Sequence, residues 1–496
     1  MRAYRVIRPI LGLASALALM LFAAPLYLTP AQAADCVQTG GGSPTLNTTV
    51  SDTVCGTNAT ATAAGNASAY GEEANAQGPH STAIGAQSDA TGSFDSTAVG
   101  YYAQSTAQGS TALGGGGGAA AAANANGEFS IAIGGGDVDG ASAIGNDTIA
   151  VGEAAFAADF GNVAIGQQSQ ATAANSNALG QYAMATMQDS SAFGEGAHAT
   201  QTETSAFGQG ALADHANASA FGENSQATNN NASAFGQAAL ASGVNASAFG
   251  EVAHAIGANS AAFGQGADAT MANASAFGES AQATGAQASA FGQAAMATKD
   301  NASAFGEFAQ ATGLRSSAYG HNSVASGTDA SAFGESAHAT QDEATAVGTG
   351  AVASATNSAA FGYGAQASIA NQQVFGTAGN TYTMSGIASA ASTAAQSGQV
   401  GIVTSDSGGN LAVDNGAYGQ IGKNREGVAM AMAMGDFWVP ENKSMAAGFN
   451  VATWDGAWAF AGNIGGKVND HLHLTGGISV SETGLVGGRA GGVFSW

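Results

Sequence analysis

The chain has 496 residues with 34 acidic against 10 basic side chains, a formal net charge of −24, and 74 glycines. Between residues 35 and 422 there are 28 acidic and two basic residues, Lys299 and Arg315. A surface this acidic does not track phosphates, which excludes nucleic-acid binding and favours basic or cation-bridged partners.

The chain opens with Arg2, Arg5 and Arg8, then a mostly apolar run from Ile10 to Leu28 and Ala31-Gln32-Ala33. A basic segment, an apolar core and a small-x-small site predict an export signal over 1–33, cleaved after Ala33. Pro25 and Pro30 argue against a retained membrane anchor. Residues 34–55 form an N-terminal tip holding the only two cysteines, Cys36 and Cys55. In an exported protein this pair is expected to close a disulfide; free or intermolecular thiols are the alternative.

Residues 56–150 carry a degenerate repeat with apolar-Gly pairs at Tyr70-Gly71, Ile84-Gly85, Val99-Gly100 and Leu113-Gly114. The register then breaks in Gly114–Gly118, an alanine run and Gly134-Gly135-Gly136. This stretch is expected to be a long surface loop, of the length that is often functional. No Lys-Ser/Thr follows the glycines, so they are not a phosphate loop. Asp137, Asp139 and Asp147 lack the full calcium-ligand spacing.

From Val151 to Phe375 a 14-residue unit repeats without insertion or deletion, and seventeen apolar anchors are each followed by glycine. Such a period is the signature of a solenoid. Fourteen residues cannot hold a helix pair but suffice for two strands of about five residues and two tight turns. Ala or Ser stands four residues after the first sixteen anchors and Ala six after, while position five varies widely. That alternation predicts a small inward face and a variable outward one. Coils about 4.8 Å apart make seventeen of them a rod of about 80 Å. The ladder of phenylalanine anchors is assigned to the core, because stacked aromatics bury large apolar area.

A second period is nested in the first. Two residues after the anchor, Glu195, Glu223, Glu251 and Glu279 alternate with Gln209, Gln237, Gln265 and Gln293. Duplication of a 28-residue unit explains this, and so does repulsion, since alternation moves like charges to about 9.6 Å. Five residues after the anchor, the outward columns offer Leu212, Leu240 and Met296 beside His198, His254 and His338 as a candidate binding surface. The histidines of that column stand four coils or more apart, too distant for a metal within one chain. The Asn-Ala-Ser triplets read as turns.

After Phe375 the period stops. Residues 377–422 read as a connector with an Ala-rich short helix from Ile387 to Ala395 and brief strands at Val400–Thr404 and Leu411–Val413. No heptad pattern is sustained. In 423–496, Val428–Met434 alternates Ala and Met, strong helix formers slim enough to thread a pore. Four alternating segments follow at Met445–Trp454, Ala457–Val468, His471–Ser481 and Leu485–Trp496. Apolar-out, small-or-polar-in segments of about ten residues describe a transmembrane β-barrel. Four strands cannot close and an open edge in lipid is untenable, so the barrel has to be shared between chains.

An export signal, repeats such as Asn217–Glu223 (Asn-Ala-Ser-Ala-Phe-Gly-Glu), and a C-terminal helix with four strands resemble the trimeric autotransporter adhesins of the YadA-like family. The resemblance covers about 56–496 apart from the connector. It implies an all-β homotrimer with left-handed parallel β-roll heads and a twelve-stranded outer-membrane barrel filled by three helices. Trp458, Phe460 and Phe494 then serve as membrane-anchor aromatics, and Trp496 resembles the terminal aromatic read by the barrel-assembly machinery. Family heads with matrix binding carry Val and Ile where this chain has Ser and Phe, so collagen-type specificity is not carried over. The expected function is adhesion of the surface-displayed head to host, matrix or other cells. The alternative is a structural coat or autoaggregation protein without a specific receptor. No catalytic, cofactor or metal motif stands out, so no enzyme is expected.

Overall fold

In the computed structural model the described residues are 45–46, 52–62, 65–397, 401–414, 416–435 and 437–496. The predicted export signal and Cys36 lie outside them. The chain divides into two units, Met1–Asn380 and Thr381–Trp496.

The first unit is a parallel β-solenoid of about 23 turns. Its three-residue strands form one 23-stranded sheet and its two-residue strands another. Register follows the repeat: Ser219, Ala220 and Phe221 pair with Ser233, Ala234 and Phe235, and Gln226-Ala227 with Leu240-Ala241. Coils are tied by bonds such as Gly236 N–H to the Phe221 carbonyl, 2.8 Å, and Leu240 N–H to the Ala253 carbonyl, 2.8 Å. The strands are shorter than the five residues expected. Two left-handed residues per coil, such as Asn224 (φ 56°) and Asn231 (φ 57°), bend the backbone and end each strand early. Asparagine tolerates that conformation, which is why the Asn-Ala-Ser triplets mark turns.

The core holds only small side chains. Ala220, Ala227, Ala232 and Ala234 are fully buried, and so is their counterpart in nearly every coil. Inward serines return a hydrogen bond to their own turn, as Ser225 Oγ does to the Gly222 carbonyl at 2.9 Å. With almost only alanine and serine side chains between them, the two sheets approach too closely for any aromatic. The phenylalanine ladder is therefore not in the core, contrary to the expectation from stacked aromatics. It lies half-exposed on the outer face of the three-residue strands. From Phe193 to Phe305 successive rings stack at 4.5–4.8 Å with interplanar angles of 2–5°.

The glycine after each anchor is required by the next coil. Gly222 has φ 137°, and a Cβ there would lie 2.4 Å from the Gly236 carbonyl oxygen. No rotation of a side chain relieves a clash with backbone.

The glycine- and alanine-rich stretch is also not an excursion from the solenoid. Thr111–Leu113 pairs with Ile131–Ile133, which pairs with Ile149–Val151. Asn124-Ala125 pairs with Gln104-Ser105 and Ser142-Ala143. The coils continue, and the extra residues enlarge the same turn in two successive coils. The anchor of the second enlarged coil is Ile133, followed by Gly134, in register with Leu113 and Val151.

In the second unit a short helix spans Ala390–Ala395, capped by Ser389, and Ile402–Ser405 pairs antiparallel with Leu411–Asp414. A 17-residue helix, Ala417–Ala433, precedes four antiparallel strands in chain order: Met445–Trp454, Ala457–Asn469, Leu472–Ser481 and Val486–Phe494. These bounds lie within three residues of those read from the alternation. Asp455 (φ 47°) and Gly456 (φ 82°) form the tight turn of the first hairpin. The helix packs Ala429, Met430 and Ala433 on Ala457, Ala459 and Ala461 of the second strand.

The alanine change Gly236→Ala is expected to destabilise the solenoid by roughly 2–4 kcal/mol, from strain and backbone clash together. Thr228→Ala, outside the core, is expected to cost less than about 0.5 kcal/mol. Urea melting of the two variants followed by circular dichroism checks the difference; equal midpoints contradict the stacking argument.

Candidate interaction surfaces

Each coil offers four outward columns, and every side chain in a column meets its counterpart one strand spacing away. On the two-residue strands, His198 pairs with Leu212, Leu212 with Gln226, Gln226 with Leu240, and Leu240 with His254. His254 then pairs with Asp268, and its Nδ1 lies 2.8 Å from Asp268 Oδ1. Met296 follows two coils on, between Gln282 and Gln310. His338 sits between Val324 and Val352. The structure thus joins His198, Leu212, Leu240 and His254 into one half-buried outward strip, interrupted only by Gln226. It leaves Met296 and His338 apart from it. The His254–Asp268 pair was missed from sequence, although their 14-residue separation places them side by side. Among the described residues no group of three or more His, Cys, Asp or Glu could hold a metal ion.

The column at the first turn explains the Glu/Gln alternation. Each Gln amide donates to the carboxylate one coil before it: Gln209 to Glu195 at 3.3 Å, Gln237 to Glu223 at 3.2 Å, Gln265 to Glu251 at 3.0 Å and Gln293 to Glu279 at 3.1 Å. The amide both spaces the charges and satisfies one of them. At the opposite turn the asparagines form an amide ladder, Asn231 to Asn245 at 3.0 Å and Asn245 to Asn259 at 3.0 Å. One pair of opposite charges enters that column. Arg315 donates from Nε and Nη2 to Asp329 at 2.7 and 2.6 Å. These hydrogen bonds hold the Asp329 carboxyl below its usual range. Its contribution is present above the unfolded carboxyl pKa and is lost as the pH falls through the lowered folded one.

The fourth column is the phenylalanine ladder on the other sheet. Its eleven-ring run from Phe193 ends in Tyr319 and Phe333, the last pair stacked at 5.1 Å.

In the second unit the two faces of the sheet differ sharply. Trp458, Phe460, Ile464, Leu474, Ile478 and Phe494 are exposed on the face away from the helix. Phe449 and Phe460 stack there at 5.5 Å. Trp496 is fully exposed. On the helix side, the Ser481 and Thr483 hydroxyls donate to the Glu426 carboxylate, and Arg489 Nη1 donates to the Met434 carbonyl at 2.7 Å. Trp438 stacks on buried His473 at 5.3 Å. The first and fourth strands are both edges of the sheet.

Taken together, a parallel solenoid presenting ladders of side chains and a separate sheet with an apolar outer face define a repeat protein built to present surface. The model of the YadA head domain repeat (2 copies) matches residues 63–88, 93–116, 121–136, 163–183, 185–211, 216–239, 241–267, 269–295, 297–323 and 325–351. The chain belongs to the YadA-like trimeric autotransporter adhesins. A comparison with curated proteins gives no match.

The carboxylate that Gln237→Glu introduces would stand between Glu223 and Glu251 with no donor between them. The expected loss is roughly 1–2 kcal/mol at pH 7 and low salt, from Coulomb repulsion and a lost hydrogen bond. Repulsion raises the folded pKa of the new group, so the deficit exists above that pKa and disappears once the pH falls below the unfolded value. Thermal melting at about pH 7 and about pH 3, with and without about 1 M salt, checks the sign. A deficit that persists at low pH traces the loss to the missing hydrogen bond rather than to charge, and no deficit at either pH assigns the alternation to duplication alone.

Proposed function

We propose that the chain is a cell-surface adhesin, displayed as a homotrimer and held in the outer membrane by a barrel to which each chain gives four strands. The observation that carries this reading is the C-terminal sheet. It has two unpaired edges, an apolar outer face and a small-residue face already covered by its own helix. A sheet of that kind is untenable in lipid unless its edges meet partner strands. Three copies supply twelve strands, and three Ala417–Ala433 helices then fill the lumen.

The same symmetry gives the phenylalanine ladder a place. Three solenoids with these faces inward bury the half-exposed rings against each other, which is a favourable use of large apolar area. The export signal over 1–33, a Cys36–Cys55 staple at the exposed end, and insertion by the outer-membrane assembly machinery complete the reading. Trp458, Phe460 and Phe494 then face lipid. The columns turned away from the threefold axis, including Leu212, Leu240, Met296, His198, His254 and His338, form the surface offered to host, matrix or neighbouring cells.

Expressed with its signal, the full chain is expected in outer membranes as a species that migrates as a trimer on unheated gels and as a monomer after boiling. Deleting 56–376 with the anchor kept should preserve the trimer and abolish attachment to cells or matrix. A monomeric or periplasmic product overturns the anchor. Unchanged attachment with altered aggregation favours the surface coat. Replacing Phe221, Phe235 and Phe249 by Ser should lower the melting temperature of the trimer's head while leaving the anchor heat-resistant; no change in the head removes the ladder from the interface.

A further inference from the structure

The solenoid departs most from its 14-residue rule at one place, and a groove lies there. In two successive coils the first turn is enlarged, after Leu113 and after Ile133. The two enlarged turns are welded to each other and to the coil that follows. Gly136 N–H donates to the Ala121 carbonyl at 2.8 Å, Gly140 N–H to the Ala120 carbonyl at 2.8 Å, and Ala154 N–H to the Asp139 carbonyl at 3.1 Å. The result is an ordered wall standing beside the outward face of the two-residue strands. Between wall and face is a groove of about 500 Å³. Insertions of this sort gather on one side of a solenoid, often the binding side.

The chemistry of the lining is specific. Phe156 is half-exposed on the strand face, with Asn124 and Ser142 in the two preceding coils and Gln170 in the next, all in one column. Gln168 and Asp139 complete the rim. Asn124 Oδ1 is buried and has no hydrogen-bond donor among the described residues. One aromatic face, three amides, a hydroxyl and a carboxylate suit a ligand whose surface alternates apolar C–H patches with hydroxyl donors and acceptors. The groove holds no cation, and no Lys or Arg occurs between Arg8 and Lys299. Sulfated, sialylated and phosphorylated ligands therefore find no counter-charge and meet Asp139 instead.

We propose that this groove binds a neutral saccharide, with a sugar ring on Phe156 and its hydroxyls donating to Asp139 and exchanging hydrogen bonds with the Gln168 and Gln170 amides. The inference rests on the adhesin reading only for the ligand's access to the displayed head. Binding to the extracted chain is measured whether or not that chain promotes adhesion.

The test uses the detergent-extracted full chain and a panel of neutral hexose and N-acetylhexosamine oligomers, with sialylated and sulfated counterparts, read by calorimetry and saturation-transfer NMR. At least one neutral oligomer is expected to bind with Kd between about 10 μM and 1 mM. Phe156→Ala should weaken it about tenfold or more and Gln170→Ala about threefold or more, with unchanged circular dichroism. Thr228→Ala, far along the solenoid and outside the outward columns, should leave it unchanged. If Phe156→Ala alters the fold, Phe156→Leu together with Gln170→Ala decides, since leucine keeps the apolar volume without the ring face. The proposal is overturned if no neutral oligomer binds, if these groove variants bind as the parent does, or if the anionic oligomers bind more tightly. Loss of attachment on deleting 56–376 without any saccharide binding would overturn this groove alone and leave the adhesin reading standing.

Discussion

Everything in the first unit follows from stacking a coil on its own copy at one strand spacing. Each side chain is pressed against the residue fourteen positions away, so every position must tolerate a neighbour of its own kind. Some chemistries do this well. Phenylalanine rings lie parallel at about the strand separation, asparagine amides pass a hydrogen bond from coil to coil, and alanine methyls fill a narrow interior. Carboxylates do so less well, and along the first-turn column a glutamine amide is interleaved between them. Glycine answers a steric version of the same constraint, because its missing Cβ is the space occupied by the next carbonyl.

That constraint made much of the fold legible in sequence. A period without insertions dictates parallel in-register strands, and the small residues four and six places after each anchor identify the inward face. The C-terminal strands were legible for another reason, since alternation with tight-turn residues such as Asp455-Gly456 leaves little freedom in the bounds. The phenylalanine ladder was misread because apolar character was taken as a sign of the interior. The interior here is defined by width, and a wall-to-wall distance set by alanine admits no ring. An aromatic in such a protein sits outside and asks for another surface. The glycine-rich stretch was misread for a different reason. Its period is broken in the sequence but not in the strands, and only the pairing of Ile131–Ile133 on both sides shows that the coil persists. The candidate columns were legible as positions. Which residues touch was less so, although simple addition of fourteen pairs His254 with Asp268.

The two units meet the problem of exposed apolar surface by similar means. Each has one side closed by small residues, the alanine core of the solenoid and the alanine contact between helix and sheet. Each also has one apolar side left uncovered by its own chain, the phenylalanine ladder and the Trp458–Phe460–Ile464 face. Large exposed apolar patches mark interaction or membrane surfaces. The two differ in kind. The ladder is a narrow regular stripe that suits another stripe of the same geometry. The sheet's face is broad, irregular and rich in glycine.

A coil position that faces inward can carry little information, because anything larger than serine or threonine is exceptional there and Asn162 needs three hydrogen bonds to sit inside. The outward position of the two-residue strands is free of that demand. Along it the chain places Asn124, Phe156, Met184, His198, Leu212, Asp268 and Val324 without altering the backbone register. The register is the same whichever residue stands there, so the column is where recognition can be written. A flat column alone offers contact on one side only. The enlarged turns after Leu113 and Ile133 add the second side, and this is why, among the described columns, the segment around Phe156 has the geometry to hold a ligand as well as touch one.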